Sequence, residues 1–150
     1  MSRVVLLDTG PLGLLTNPNV SPDTDACNRW LEELAARGVR VLVPEIVDYE
    51  LRRELLRVNK ANGIARLEAV IAQAEYLPIT TSAMRQAAAF WAQARQQGQP
   101  TAGDKTIDGD VILAAQAATL GVPDAIIATT NVGHLSRFVA ADLWQNVSAD

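Results

Sequence analysis

Apolar positions along this chain alternate between short continuous runs and helical stripes. Val4 to Leu7, inside Arg3–Asp8, is a continuous run too short for a helix and suits a strand buried on both faces of a parallel sheet. Thr9-Gly10-Pro11 predicts a turn after it. Ser21 stands where it can cap a helix with Pro22 at its first position and Asp23 and Asp25 near its positive end. That helix runs through Trp30 and Leu34 until Gly38 stops it. Val39 to Val43 is a second buried strand. Pro44 then opens a helix striped by Val47, Leu51, Leu55 and Val58, Asn62-Gly63 interrupts the pattern, and a further helix covers Ile64 to Glu75.

Beyond it, Tyr76 to Ile79 predicts a short strand and Ser82 to Gln97 an alanine-rich helix containing Phe90 and Trp91. A long helix starts near Asp108 and ends at Gly121, and Ala125 to Thr130 is the third clear strand. His134 to Phe138 is one helical turn, and Leu143 to Val147 a final strand. Strands separated by helices predict an α/β three-layer sandwich, with a central mainly parallel sheet and helices on both faces. Ligand sites in such folds collect at the carboxyl ends of the strands.

Composition narrows the choice. The 150 residues suit one compact domain, and a hydrophobic share of 49% is enough to fill its core. Gln96 to Lys105, QQGQPTAGDK, is a loop rather than a domain boundary. A net charge of -4 argues against a protein that coats nucleic acid by bulk electrostatics, yet leaves open one whose metal ions meet the phosphates. Cys27 is the only cysteine, so no intrachain disulfide forms and a cytoplasmic location is the default. The N-terminal apolar run is too short for a signal peptide. Val111 to Ala128 approaches a membrane span in length, but Gly121, Pro123 and Asp124 break it, and a buried helix followed by a buried strand is expected instead.

The chemistry-bearing residues fall in a pattern. Asp8 ends the first strand, Glu50 lies in the helix after the second, Asp110 sits near the start of the Asp108 helix, and Asn131 follows the third strand. All four can reach one edge of the sheet. Mg²⁺ and Mn²⁺ take hard oxygen ligands and keep several waters, so carboxylates with an amide oxygen suit them. One histidine and one cysteine argue against a tetrahedral zinc centre built from nitrogen and sulfur.

These residues, in this order, resemble the PIN-domain nucleases, especially the VapC-like toxin ribonucleases of bacterial toxin-antitoxin pairs. The likeness spans nearly the whole chain. It rests on LLDTG around Asp8, VPEIVDYELRREL with Glu50 ahead of Leu51, DVILAAQAATLG from Asp110, and ATTN ending at Asn131. The resemblance implies metal-dependent cleavage of RNA by a water activated on Mg²⁺ or Mn²⁺. Asp8, Glu50 and Asp110 would be the metal ligands, with Asn131 completing the catalytic set. It also implies a homodimer and a small antitoxin partner. One departure is Asn131, where the family often has aspartate. Asp108 competes with Asp110 and Glu45 with Glu50, and the second of each pair is preferred; Thr9 and Thr129 flank the set as supporting residues.

Each residue also has a plainer use. Asp8 can shape a turn, Glu50 can pair with Arg53 on a helix surface, and Asp108 and Asp110 can cap a helix or favour its positive end. For Asp108 the capping use is preferred. His134 is a structural hydrogen-bonding group rather than a general base, and Trp30, Trp91 and Trp144 suit packing better than base stacking. Arg52, Arg53, Arg57, Lys60 and Arg66 form the densest basic stretch, and the first four are the candidates for phosphate contact. Two other functions compete with a nuclease. One is a catalytically weakened PIN-like domain that binds RNA or a partner, suggested by the neutral Asn131. The other is an aspartic protease, suggested by LLDTG alone, although those enzymes are all-β and pair two such aspartates.

Overall fold

The computed structural model describes residues 3–97 and 104–150. Its elements are β1 (Val4–Leu7), α1 (Thr9–Thr16), α2 (Pro22–Ala36), β2 (Arg40–Pro44), α3 (Glu45–Arg57), α4 (Ala61–Gln73), β3 (Glu75–Leu77), α5 (Thr81–Gln96), α6 (Asp104–Ala118), β4 (Ala125–Thr129) and β5 (Ala141–Leu143). Two single 3₁₀ turns, Leu135–Arg137 and Trp144–Asn146, flank β5. The five strands form one sheet in the order β3-β2-β1-β4-β5, and every pairing is parallel. This is the α/β sandwich expected from the alternation of runs and stripes.

The most apolar strand takes the centre. Val4 to Leu7 are all buried, and Val5 stands opposite Val41 on one side and Ile126 on the other. A strand covered on both faces loses no polar contacts to water and so tolerates an unbroken apolar run. The edge strands β3 and β5 have only three residues each. At the β3 edge, Arg40 donates two bonds to the Glu75 carboxylate, at 2.8 and 2.9 Å, placing a charged pair along exposed strand backbone.

Where sequence and structure differ, burial or capping decides. Thr9-Gly10-Pro11 is the first turn of α1 rather than a loop turn. Asp8 is extended at φ -81° and ψ 173°, and its side chain accepts a bond from the Thr9 amide, while fully buried Leu12 and nearly buried Leu15 anchor the helix. Pro11 fits because a first-turn residue needs no intrahelical N–H. The capping box expected at Ser21 forms: Ser21 Oγ accepts from the Thr24 amide at 3.1 Å and Thr24 Oγ1 accepts from the Ser21 amide at 2.9 Å. The break between α3 and α4 falls at Asn59, with φ +56°, and Asn62 and Gly63 already belong to α4. Gly63 lets α4 approach α3 closely, since a Cβ there would stand 2.9 Å from the Leu55 Cδ2.

Helix α6 starts at Asp104, a full turn before the expected Asp108, so neither Asp108 nor Asp110 is a cap. The expected loop over 96–105 is reduced accordingly: Gln96 ends α5, Asp104 and Lys105 open α6, and residues 98–103 lie outside the described residues. The strand expected over Leu143 to Val147 is displaced: β5 is Ala141–Leu143, and Trp144–Asn146 forms a 3₁₀ turn with Trp144 facing inward. Trp144 packs edge-on against Trp30 with ring centres 5.6 Å apart, and Trp30 Nε1 donates to the Val147 carbonyl at 2.7 Å. Val111 to Ala128 resolves into the second half of α6 and all but the last residue of β4. Among the described residues no helix is long and apolar enough to cross a membrane.

Two contacts fix the helices that matter for the site. Ala83, Ala87 and Ala94 of α5 pack with Val111 and Ala115 of α6 in a second apolar cluster. Gln116, only 2% exposed, accepts a bond from the Ile46 amide at 3.3 Å and donates to the Leu77 carbonyl at 2.8 Å. One buried amide thereby ties α6 to the start of α3 and the end of β3.

Candidate functional site

The carboxyl ends of the two central strands hold the first part of the site. Asp8 follows β1, and Thr129 closes β4 beside it. The Asp8 carboxylate is held from both sides: Oδ1 accepts from the Thr9 amide at 2.7 Å, and Oδ2 accepts from the Thr129 hydroxyl at 2.7 Å. Thr129 is almost wholly buried, and its hydroxyl also accepts from the Asn131 amide at 3.1 Å. A charge-assisted hydrogen bond at each oxygen fixes the plane of the carboxylate without consuming all its lone pairs.

Glu50, in the second turn of α3, and Asp110, in the second turn of α6, face this aspartate. Burial raises the Glu50 carboxyl above the ordinary glutamate range, the Asp8 and Asp110 charges add to that, and Arg53, 4.0 Å away, opposes it. Asp110 is likewise raised, first by burial and then by Asp8, with His134 acting in the opposite sense. Glu50 and Asp110, on separate helices, each lie close enough to Asp8 for its charge to disfavour theirs. Gly109 makes this approach possible. A Cβ there would stand 2.5 Å from Glu50 Oε2 and 3.0 Å from its Cδ, so the Glu50 carboxylate rests directly on the α6 backbone.

The donor set fits a hard divalent cation, since it offers only carboxylate oxygens with mutual repulsion that a cation would relieve. Among the described residues no three acidic, histidine or cysteine side chains form a ready cage for a metal.

The model of the family described as "PIN domain" matches residues 5–139, from the first strand to beyond the fourth. The chain belongs to the PIN-domain family. No curated protein matches it significantly. Among solved structures, VapBC2 from Rickettsia felis bound to a DNA fragment from their promoter superimposes with a TM-score of 0.74 at 18% identity, covering 94% of this chain and 98% of that one. DNA-bound VapBC from Salmonella typhimurium gives 0.71 at 19% identity, covering 95% and 98%. VapBC-1 from nontypeable Haemophilus influenzae gives 0.63 at 17%, covering 95% and 99%. At such identities the likeness is one of fold.

In this PIN domain the residues singled out from sequence separate into groups. Asp8, Glu50 and Asp110 come together, with Thr129 and the Thr9 amide holding Asp8. Asn131 joins through its backbone; its side chain is exposed and lies over Gly133, whose φ of +45° brings the chain round beneath it. Glu45 is occupied elsewhere, accepting from the Ile79 amide at 2.7 Å, and so stitches α3 to the segment after β3. Asp108 is exposed on α6, and the cap assigned to it does not exist. Arg52 bridges Asp48 and Glu68, and Arg57 pairs with Glu54. Arg53 is exposed, lies over the Tyr49 ring at 5.0 Å and reaches Glu50, the only one of the four basic candidates paired to the acidic group. Lys60 lies farther along, beyond the end of α3, where it lines a cavity. Of the tryptophans, Trp30 and Trp144 pack together as expected, whereas Trp91 is 39% exposed and faces Arg95. LLDTG serves as strand end and helix cap in an α/β fold, which leaves its likeness to aspartic proteases local.

Sequence reading missed Gly109 and Gln116. The signal for the first is a glycine between two aspartates inside a helix, where glycine costs about 1 kcal/mol relative to alanine and therefore wants a reason. Gln116 gives none, because an amide at a helical core position shows its partners only in three dimensions.

Proposed function

We propose that this PIN domain is a divalent-metal-dependent endoribonuclease and acts as the toxin of a type II toxin-antitoxin pair. The observation that carries the reading is the approach of Asp8, Glu50 and Asp110 at the carboxyl ends of the central strands, with Glu50 set against Gly109. Asp8, Asp110 and Glu50 would hold Mg²⁺ or Mn²⁺, which when bound acidifies water and offsets the charge of the phosphate oxygens. Asp8 is pre-oriented by the Thr9 amide and Thr129, so little entropy is lost when it binds. Glu50 or Asp110, through an oxygen that the cation leaves free, would take the proton of the water that attacks phosphorus. The P–O bond opposite breaks and the leaving oxygen is protonated from solvent. Arg53 meets a non-bridging phosphate oxygen, and Asn131 offers a neutral amide to substrate.

The likeness to VapBC structures supports a small antitoxin partner, and we read the protein as a cytoplasmic homodimer of single-domain protomers. Copurification from the native host without a small companion protein would count against the partner. The neutral Asn131 favours a second reading, a PIN-like module that binds RNA or a partner without cutting. Wild type and Asp8→Asn/Asp110→Asn protein are incubated with mixed single-stranded RNA in Mg²⁺, in Mn²⁺ and in EDTA. Cleavage by metal-loaded wild type alone supports the nuclease; binding without cleavage by both proteins supports the module.

A further inference from the structure

Helices α1 and α3, which carry Asp8 and Glu50, also border a cavity of about 650 Å³ that none of the acidic residues lines and the nuclease reading does not use. It is an open groove bounded by the second half of α1 and the segment after it, by α3, and by the start of α4. Leu51, Leu55 and Val58, along one face of α3, give it an apolar wall. Asn17, Asn59 and Asn62 offer amides at its margin, with Lys60 as its cation. Its volume is that of a small-molecule site, and its chemistry is an apolar surface with a few polar groups that fix orientation.

That combination suits a nucleobase. A nucleobase has two apolar π-faces and an edge carrying both donors and acceptors, which carboxamides pair with because each offers both. A phosphate attached to it would find Lys60. The position fits a strand that continues from the acidic group. Leu51 follows Glu50 directly on α3, and Gly13, which lines the cavity, lies about 8 Å along α1 from Asp8 at its cap. We propose that this cavity takes a base of the substrate strand flanking the scissile phosphate, and so sets the sequence preference of the enzyme. The inference rests on the nuclease reading for its role, but the binding it requires is measurable without cleavage.

The first measurement titrates nucleoside monophosphates into full-length Asp8→Asn/Asp110→Asn protein, following side-chain amide signals by NMR. Saturable shifts at Asn59 and Asn62 are expected, weakened about fivefold to tenfold by Asn62→Ala, the loss of one hydrogen bond. Absence of shifts at millimolar nucleotide overturns the proposal, whether or not the wild type cuts RNA. The second sequences the products of wild type, Asn62→Ala and Lys60→Gln on a random RNA pool, after thermal unfolding shows the variants intact. A changed base preference next to the cut supports the cavity as a specificity site. An unchanged preference, or occupation of the cavity by a protein partner that nucleotides do not displace, overturns it.

Discussion

Gly109→Ala separates stability from catalysis at one atom. The new Cβ would stand 2.5 Å from Glu50 Oε2 and 3.0 Å from Oε1 and Cδ. Ordinary contact needs roughly 1 Å more, and the yielding group is the far end of a flexible side chain rather than backbone. Alanine is better than glycine inside a helix by about 1 kcal/mol, whereas pushing Glu50 off its rotamer costs about 0.5–1.5 kcal/mol. The two nearly cancel, so the unfolding free energy is expected within about 1 kcal/mol of wild type. Catalysis has no such compensation, because a carboxylate displaced by about 1 Å can lose about 100-fold in rate. Chemical denaturation gives the first quantity and metal-dependent RNA cleavage the second. Glu50→Ala/Gly109→Ala, with the obstruction removed, should recover the full helical gain. Unchanged cleavage by a folded Gly109→Ala protein, or destabilisation beyond about 2 kcal/mol, would refute the assigned contact and its role.

Asp110→Asn should stabilise the metal-free protein by up to about 1 kcal/mol near neutral pH while abolishing cleavage, because it removes one of the repelling charges. The native state binds protons at Glu50 and Asp110 more tightly than the unfolded chain does. Their stabilising contribution is therefore complete below the ordinary carboxylate range and lost as pH rises through their raised values. Urea denaturation across pH should show a shallower fall in the variant, and an identical profile would count against the cluster. Gln116→Leu leaves the Ile46 amide and Leu77 carbonyl without their partner, at an expected cost of about 2–4 kcal/mol by denaturation; a neutral result would mean those groups find other partners. Cys27 is fully buried, its thiol is pushed up to about 12, and Sγ lies 3.7 Å from the Pro11 carbonyl, so alkylation should proceed only as the protein opens. Rapid labelling under native conditions would contradict that placement.

The sequence by itself determined the parallel core and most of the element list. A run such as Val4–Leu7 has only one stable use, burial on both faces, and the Ser21-Pro22 signature carries its own hydrogen-bond logic in local spacing. The set Asp8, Glu50 and Asp110 was legible through the resemblance to PIN-domain motifs, since each residue taken alone also has a structural use. Tertiary structure decided what depends on partners distant in the chain. Leu12 and Leu15 gained enough burial to make a helix of Thr-Gly-Pro, and with Trp144 packed on Trp30 most of the expected last strand is a 3₁₀ turn, the strand itself lying just upstream. Glu45 and Glu50 are the same residue type on one helix, yet one bonds the Ile79 amide and the other lies against Gly109. Local propensity acts within a few residues. The choice between those two carboxylates was made by backbone more than thirty positions away, which only the packed fold brings within reach.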